Sequence, residues 1–347
     1  MYADILHNRK LPKLQNRDEM LWILQEEEYG HLPVAPKEIS WAVQNDIIPL
    51  FCANKATYSQ VILQYTLENG NRGAFPVACV IPKKPGKHPF FIHINFRPDV
   101  PDRYMPTEEL IDNGFAVLSF CYEDVTKDND DWTDGLAGAL YPEGRRKPND
   151  PGKIAMWAWA VQRVMDYAQT LDALDLNNAI VCGHSRLGKT ALLAAATDER
   201  FSFAHSNDSG CAGAAVTRGK SGETVADICM RFPYWFCENY LKYANAEHTM
   251  PFDQHYLLGS IAPRYVSVGS AHKDGWADPE SEFLCCIAAS PAYERYNIDG
   301  FVYDGRQLDS ETVYTNGSIG YYQRPGTHYF SREDWHRLID FIRMHKK

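Results

Sequence analysis

A chain of 347 residues, 45% of them apolar, can bury a sizeable core, either as one elaborated α/β unit or as two small ones. Its formal charge of -10, with no long basic run, argues against a nucleic-acid binder that works by neutralising phosphates. Nine cysteines, an odd number without C-x-x-C pairs or the Cys/His spacing of a zinc site, read as buried free thiols, and no apolar run is long enough to cross a membrane.

The opening Met1-Tyr-Ala-Asp-Ile-Leu-His-Asn-Arg-Lys10 has no cationic stretch followed by an apolar one. As given, the chain reads as cytoplasmic; a secretion signal removed ahead of this start would leave the same pattern. Arg17-Asp-Glu-Met-Leu-Trp-Ile-Leu-Gln-Glu-Glu-Glu28 puts its apolar positions on one helical face and ends at Gly30 before Pro33, which predicts a peripheral helix. The pattern then turns to β-rich pieces, Tyr58-Ser-Gln-Val-Ile-Leu-Gln-Tyr-Thr-Leu67 and Phe75-Pro-Val-Ala-Cys-Val-Ile81, separated by the turn signal Asn69-Gly-Asn-Arg-Gly73. These suit antiparallel strands at one sheet edge.

From there strands and helices alternate, the signature of a mainly parallel sheet covered on both faces. Pro89 to Asn95 reads as a strand, Thr107 to Asn113 as a helix closed by Gly114, and Phe115 to Phe120 as the next strand. A long polar loop runs from Tyr122 to Pro151, before an amphipathic helix from Ile154 to Leu171. Ile180 to Cys182 reads as a buried strand, followed by strands at Phe203 to Ser206, Tyr265 to Gly269 and Gly320 to Tyr322, and by a closing helix from Arg332 to Met344. With no repeat and no Gly/Ser/Pro-rich linker, one α/β domain over 1–347 is expected: a peripheral segment over 1–35, antiparallel edge strands over 36–82 and the catalytic core over 83–347.

The stretch Ala179-Ile-Val-Cys-Gly-His-Ser-Arg-Leu-Gly-Lys-Thr-Ala-Leu192 takes a strand abruptly into a helix at a glycine-flanked serine. Gly183 and Gly188 remove the side chains that would clash at so sharp a turn, and Ser185 sits at its tip as a candidate nucleophile. The first amides of the helix favour negative charge developing beside it. The spacing is G-x-S-x-x-G, one residue looser than the hydrolase elbow.

A serine needs a base, and the base an orienting acid. Of twelve histidines, His328 follows a late strand and precedes the closing helix, matching the hydrolase order of serine, acid, histidine. His184 is too close in sequence to meet Ser185 usefully, and His336 and His345 fall on the solvent-facing pattern of the last helix. For the acid, Asp274 after the strand at Tyr265 to Gly269 competes with Asp208 after the preceding strand. Either reads equally well as a turn or cap residue.

Gly183-His-Ser-Arg-Leu-Gly-Lys189, Ser209-Gly-Cys-Ala-Gly-Ala-Ala215, Gly222-Glu223, Trp276-Ala-Asp-Pro279 and Arg324-Pro-Gly-Thr-His328 together resemble the glucuronoyl esterase family of carbohydrate esterases. The likeness runs in order from about Pro89 to the C-terminus. It implies the α/β-hydrolase fold, a three-layer sandwich with a mainly parallel central sheet, and cleavage of 4-O-methyl-glucuronoyl esters of xylan. Members carry G-C-S-R-x-G-K at the elbow. Here His184 replaces the cysteine that forms a disulfide beside the site in fungal members, so the chain resembles the bacterial branch.

The resemblance implies Ser185 as nucleophile, His328 as base, and Arg186 as oxyanion donor through its backbone N–H and guanidinium. It further implies Lys189, one helical turn beyond Ser185, Glu223 and Trp276 as sugar contacts. Many members have glutamate where this chain has Asp208, whose reach is shorter by about 1.5 Å, a C–C bond; others use the position of Asp274, which therefore ranks first and Asp208 second. The expected reaction is acyl transfer in two steps, with no metal and no cofactor. A positive pocket formed by Arg186 and Lys189 would suit a uronate ester. The expected partner is a carbohydrate ester, not nucleic acid or membrane. An acetyl xylan esterase or other polysaccharide deacetylase would use the same triad with another pocket, and a non-catalytic carbohydrate-binding relative would keep Trp276 but need no triad.

Overall fold

The computed structural model describes residues 1–144 and 146–346. Among these, ten strands form one sheet: β1 (Glu38–Gln44), β2 (Ala56–Thr66), β3 (Arg72–Pro82), β4 (His88–Asn95), β5 (Ala116–Cys121), β6 (Leu174–His184), β7 (Phe203–Asn207), β8 (Tyr265–Ala271), β9 (Val313–Tyr314) and β10 (Ile319–Arg324). Their order is β1-β2-β3-β5-β4-β6-β7-β8-β10-β9. The first three pair antiparallel, as expected of the edge, β3 also runs antiparallel to β5, the neighbours β5, β4, β6, β7, β8 and β10 are parallel, and β9 pairs antiparallel with β10. With β4 lying between β5 and β6, this is the α/β-hydrolase arrangement that the resemblance implies.

The two faces of the sheet are separated by the alternation of its side chains. Phe90, Ile92 and Ile94 join the larger core, beneath the helices Lys153–Ala168 and Arg186–Thr197. Phe91, Ile180, Cys182 and Phe203 face the other way, onto Trp335, Leu338, Ile339 and Ile342 of the closing helix Arg332–His345. A capping box starts that helix: Ser331 accepts from Asp334 N, and the Asp334 carboxylate accepts from Ser331 N.

Several elements depart from the sequence reading. The helix expected over 17–28 ends at Leu24 and passes into one π-turn, Gln25–Tyr29. It is less peripheral than expected, since Met20, Leu24 and Tyr29 are buried and the Tyr29 hydroxyl donates to Ala212 O at 2.9 Å. The polar loop from Tyr122 holds a 3-10 turn (Tyr122–Asp124) and a short helix (Gly135–Leu140). The helix expected as amphipathic is buried nearly all round, because this loop and the N-terminal segment cover its outer side: Trp157 Nε1 donates to Thr126 O at 3.1 Å and Trp159 Nε1 to Val34 O at 3.0 Å. His345 is half-buried, not solvent-facing; it stacks on Tyr265 at 4.7 Å and bonds Thr315 O at 2.7 Å. Among the described residues no helix is long and apolar enough to cross a membrane.

Candidate active site

The strands β6, β7, β8 and β10 are neighbours, and the loops leaving their carboxyl ends carry Ser185, Asp208, Asp274 and His328. Ser185 has φ 58 and ψ -127, the strained backbone of a sharp elbow. Both neighbouring glycines are required for packing: a Cβ on Gly183 would lie 2.2 Å from Leu187 O, and one on Gly188 would lie 2.8 Å from Ser206 Oγ. The Ser185 N–H continues the sheet ladder, donating to Asn207 O at 2.8 Å, and the helix beginning at Arg186 starts beside the serine with no side-chain cap.

His328 Nδ1 is 2.6 Å from Asp274 Oδ2, and the ring and Ser185 line the same pocket of about 350 Å³. Asp274 is buried; its Oδ1 accepts from Ala277 N at 3.3 Å. Asp208 makes a different set of contacts. Its Oδ1 accepts from Ala271 N at 2.6 Å, and its Oδ2 is 3.5 Å from an Arg324 nitrogen without a hydrogen bond among the described residues. Burial, with the charges of Glu282 and Asp274 adding, holds the Asp208 carboxyl well above the usual range. Asp208, Asp274 and His328 bring one ligand-type atom each within 4.8 Å of one another. Asp274 is already committed to the histidine, so the trio suits an acid–base relay better than a cation.

The part-buried Arg186 lines the pocket, and its guanidinium donates to Asp128 Oδ2. That carboxylate also accepts from Tyr122 OH at 2.9 Å and, through Oδ1, from Trp235 Nε1 at 2.6 Å. The guanidinium carbon lies 4.7 Å from the Trp235 ring, which is itself stacked on Phe232 at 3.9 Å. Asp128 is therefore a functional candidate that the sequence reading missed. It lies in a run with Asp124, Asp130, Asp131 and Asp134, and nothing in that spacing distinguishes one acid from the next.

Lys189 lines the pocket, but its ammonium donates to the carbonyls of Ser209 and Cys211, the latter at 2.5 Å. Two of its three N–H groups are thus engaged in holding the β7 loop, and burial lowers its pKa. Glu223 and Trp276, expected separately as sugar contacts, meet each other in the pocket lining: Trp276 Nε1 donates to Glu223 Oε1 at 3.2 Å, and 44% of Trp276 is exposed. Arg231 lies over the Trp276 ring at 4.9 Å. The pocket is not simply positive, since Asp128 pairs Arg186, and Asp208, Glu223 and Asp274 share the lining.

Arg324, expected only as a flank of the histidine motif, holds the loop in shape. Its Nε donates to both Asp334 oxygens at 2.7 Å, while its terminal nitrogens reach Pro325 O at 3.0 Å and Tyr329 O. His184 is also close to the site, with its ring centroid 4.4 Å from that of His328. All nine cysteines are described, and all are free.

The family model described as "Glucuronyl esterase, fungi" matches residues 65–297. The chain belongs to the glucuronyl esterase family. A carbohydrate esterase from an unknown prokaryotic organism is 38% identical over 240 residues, 69% of this chain and 55% of that protein. A 4-O-methyl-glucuronoyl methylesterase of Wolfiporia cocos is 30% identical over 207 residues, 56% of this chain and 50% of that protein. The chain spans about half the length of these curated relatives. Among solved structures, a glucuronoyl esterase from Solibacter usitatus matches with a TM-score of 0.87 at 29% identity, covering 95% of this chain and 92% of that one. A CE15 glucuronoyl esterase from Teredinibacter turnerae matches with a TM-score of 0.85 at 26% identity, covering 95% and 84%. These bacterial neighbours and the 38% identical prokaryotic relative agree with the bacterial branch.

Proposed function

We propose that this glucuronyl esterase family member is a serine esterase that hydrolyses glucuronoyl esters of xylan or of oligosaccharides derived from it. One observation carries the reading: Ser185 on its strained elbow shares a pocket with the His328–Asp274 pair and with the Glu223–Trp276 pair. His328 takes the Ser185 proton through Nε2 while Asp274 holds Nδ1–H. Ser185 attacks the uronate ester carbonyl, and the oxyanion forms beside the Arg186 N–H and guanidinium. The alcohol leaves with the proton from His328, and water activated by the same ring releases the uronic acid. Glu223 accepts hydrogen bonds from sugar hydroxyls, and the exposed Trp276 face packs on the ring.

The family and the activities of its relatives support this substrate class. Hydrolysis of a benzyl glucuronate ester, abolished by Ser185→Ala, is the direct test; faster cleavage of acetylated xylan would assign the site to a deacetylase instead. In a cytoplasmic setting the substrates are imported oligosaccharides or small uronate esters.

A further inference from the structure

A histidine base must be held in its plane as well as at one atom. His328 is 45% exposed, and its ring makes one hydrogen bond among the described residues, from Nδ1 to Asp274. A single bond of this kind leaves the ring free to swing about it. The face of the ring meets His184, at 4.4 Å between centroids and 44° between planes.

His184 is itself rigidly placed. The period-two alternation of β6 puts it on the side of Ile180 and Cys182, against the face that carries the closing helix. Only 3% of it is exposed; its ring stacks on Tyr104 at 5.4 Å and on Phe330 at 6.3 Å. Its Nδ1 is 2.7 Å from Asn207 Oδ1, and Asn207 Nδ2 donates to Asp334 Oδ1 at 3.1 Å. A carboxylate only accepts, so the Asn207 amide must turn its NH₂ to Asp334 and its oxygen to His184. The proton of neutral His184 therefore sits on Nδ1. Asp334 is fixed in turn by Arg324, by Tyr322 OH at 3.0 Å and by Ser331 in the capping box.

We propose that His184 is a positioning residue: its ring, held by packing on Tyr104 and Phe330 and tied for stability through Asn207 to Asp334, sets the plane of His328 from which Nε2 faces Ser185. Burial, reinforced by the charge on His328, keeps the His184 pKa well below its ordinary value, so the ring adds no charge against the imidazolium that forms beside it. The proposal rests on the triad assigned above.

Two variants separate the ring from its tether. His184→Phe keeps a ring without the bond to Asn207, and His184→Gln keeps an N–H donor without a ring. On benzyl glucuronate, His184→Gln should lose about 10- to 100-fold in kcat with KM within about twofold, the scale expected when a catalytic group is misplaced by about 1 Å. His184→Phe should melt at a lower temperature, with Asn207 Oδ1 left unpaired, yet return kcat to within about fivefold of the parent. His184→Gln at the parental rate, or folded His184→Phe more than about tenfold slower than the parent, overturns the proposal; if one variant fails to fold, the other still decides. Turnover surviving in Ser185→Ala or His328→Ala overturns the triad reading instead, whatever the His184 variants do.

Discussion

Replacing Asp274 by asparagine tests the proposed relay at its buried acid. The Asp274 carboxylate accepts from the His328 ring at 2.6 Å through Oδ2 and from Ala277 N through Oδ1. In Asp274→Asn the backbone N–H of Ala277 still requires an oxygen, so the new NH₂ group faces His328. A donor there forces the imidazole proton onto Nε2, the nitrogen that must be bare to take the Ser185 proton. When such a change leaves the geometry intact, kcat falls about 10⁴-fold, which at about 1.36 kcal/mol per decade is about 5 kcal/mol of barrier. Asp208 lies close enough to be the rival acid, but its Oδ1 is held by Ala271 N and burial favours its neutral form, so it should not substitute. Asp208→Asn, which keeps an oxygen for Ala271, should cost no more than about tenfold. The assay is kcat on benzyl glucuronate at neutral pH with melting temperatures alongside. A larger loss from Asp208→Asn than from Asp274→Asn, at matched stability, would refute the assignment.

Asp128→Ala should lower kcat/KM about 10- to 100-fold and stability by about 3 kcal/mol, because it leaves the part-buried Arg186 guanidinium and Trp235 N–H without their acceptor; unchanged turnover would remove Arg186 from the oxyanion site. Glu282 is fully buried, accepting from Gly210 N at 2.9 Å and Ser270 OH at 2.5 Å, and burial pushes its pKa from 4.5 up to about 7. The folded chain therefore holds a proton that the unfolded chain releases, so this group costs stability progressively as pH rises from 4.5 to about 7, and the cost is complete above that. Glu282→Gln should flatten the melting temperature over that window and raise it above pH about 7; curves parallel to the parent's would contradict this. Trp276→Ala should raise KM for the glucuronate ester about tenfold and leave a small aryl acetate nearly unaffected; equal effects on both would deny Trp276 a sugar contact.

What the sequence made legible was whatever local pattern controls. Strands buried on both faces appear as apolar runs, and the alternation along β4 and β6 assigns their side chains to two cores. The elbow was readable because a strand, two glycines and a helix must follow one another in sequence to make it. By contrast, the helix Pro279–Ala289 has Asp278 as its N-cap and Pro279 in its first turn, a start signal that served only as part of a family motif. The segment Val225–Trp235 has too little periodicity to announce a pocket wall, yet it brings Arg231, Phe232 and Trp235 to the site.

The residues missed share a physical character: each acts through partners distant in sequence. Asp128 reaches Arg186 across 58 positions, Asn207 reaches Asp334 across 127, and the 12-position Tyr322–Asp334 bond also depends on a tertiary turn. Composition cannot select one aspartate from an acidic run, since the selection is made by the buried N–H groups that converge on it. The nearness of His184 to Ser185 is a sound objection to a base and no objection to a support. Alternation along β6 sends neighbours to opposite sides, so the residue next to the nucleophile is well placed to touch the base from behind while taking no part in the proton transfer.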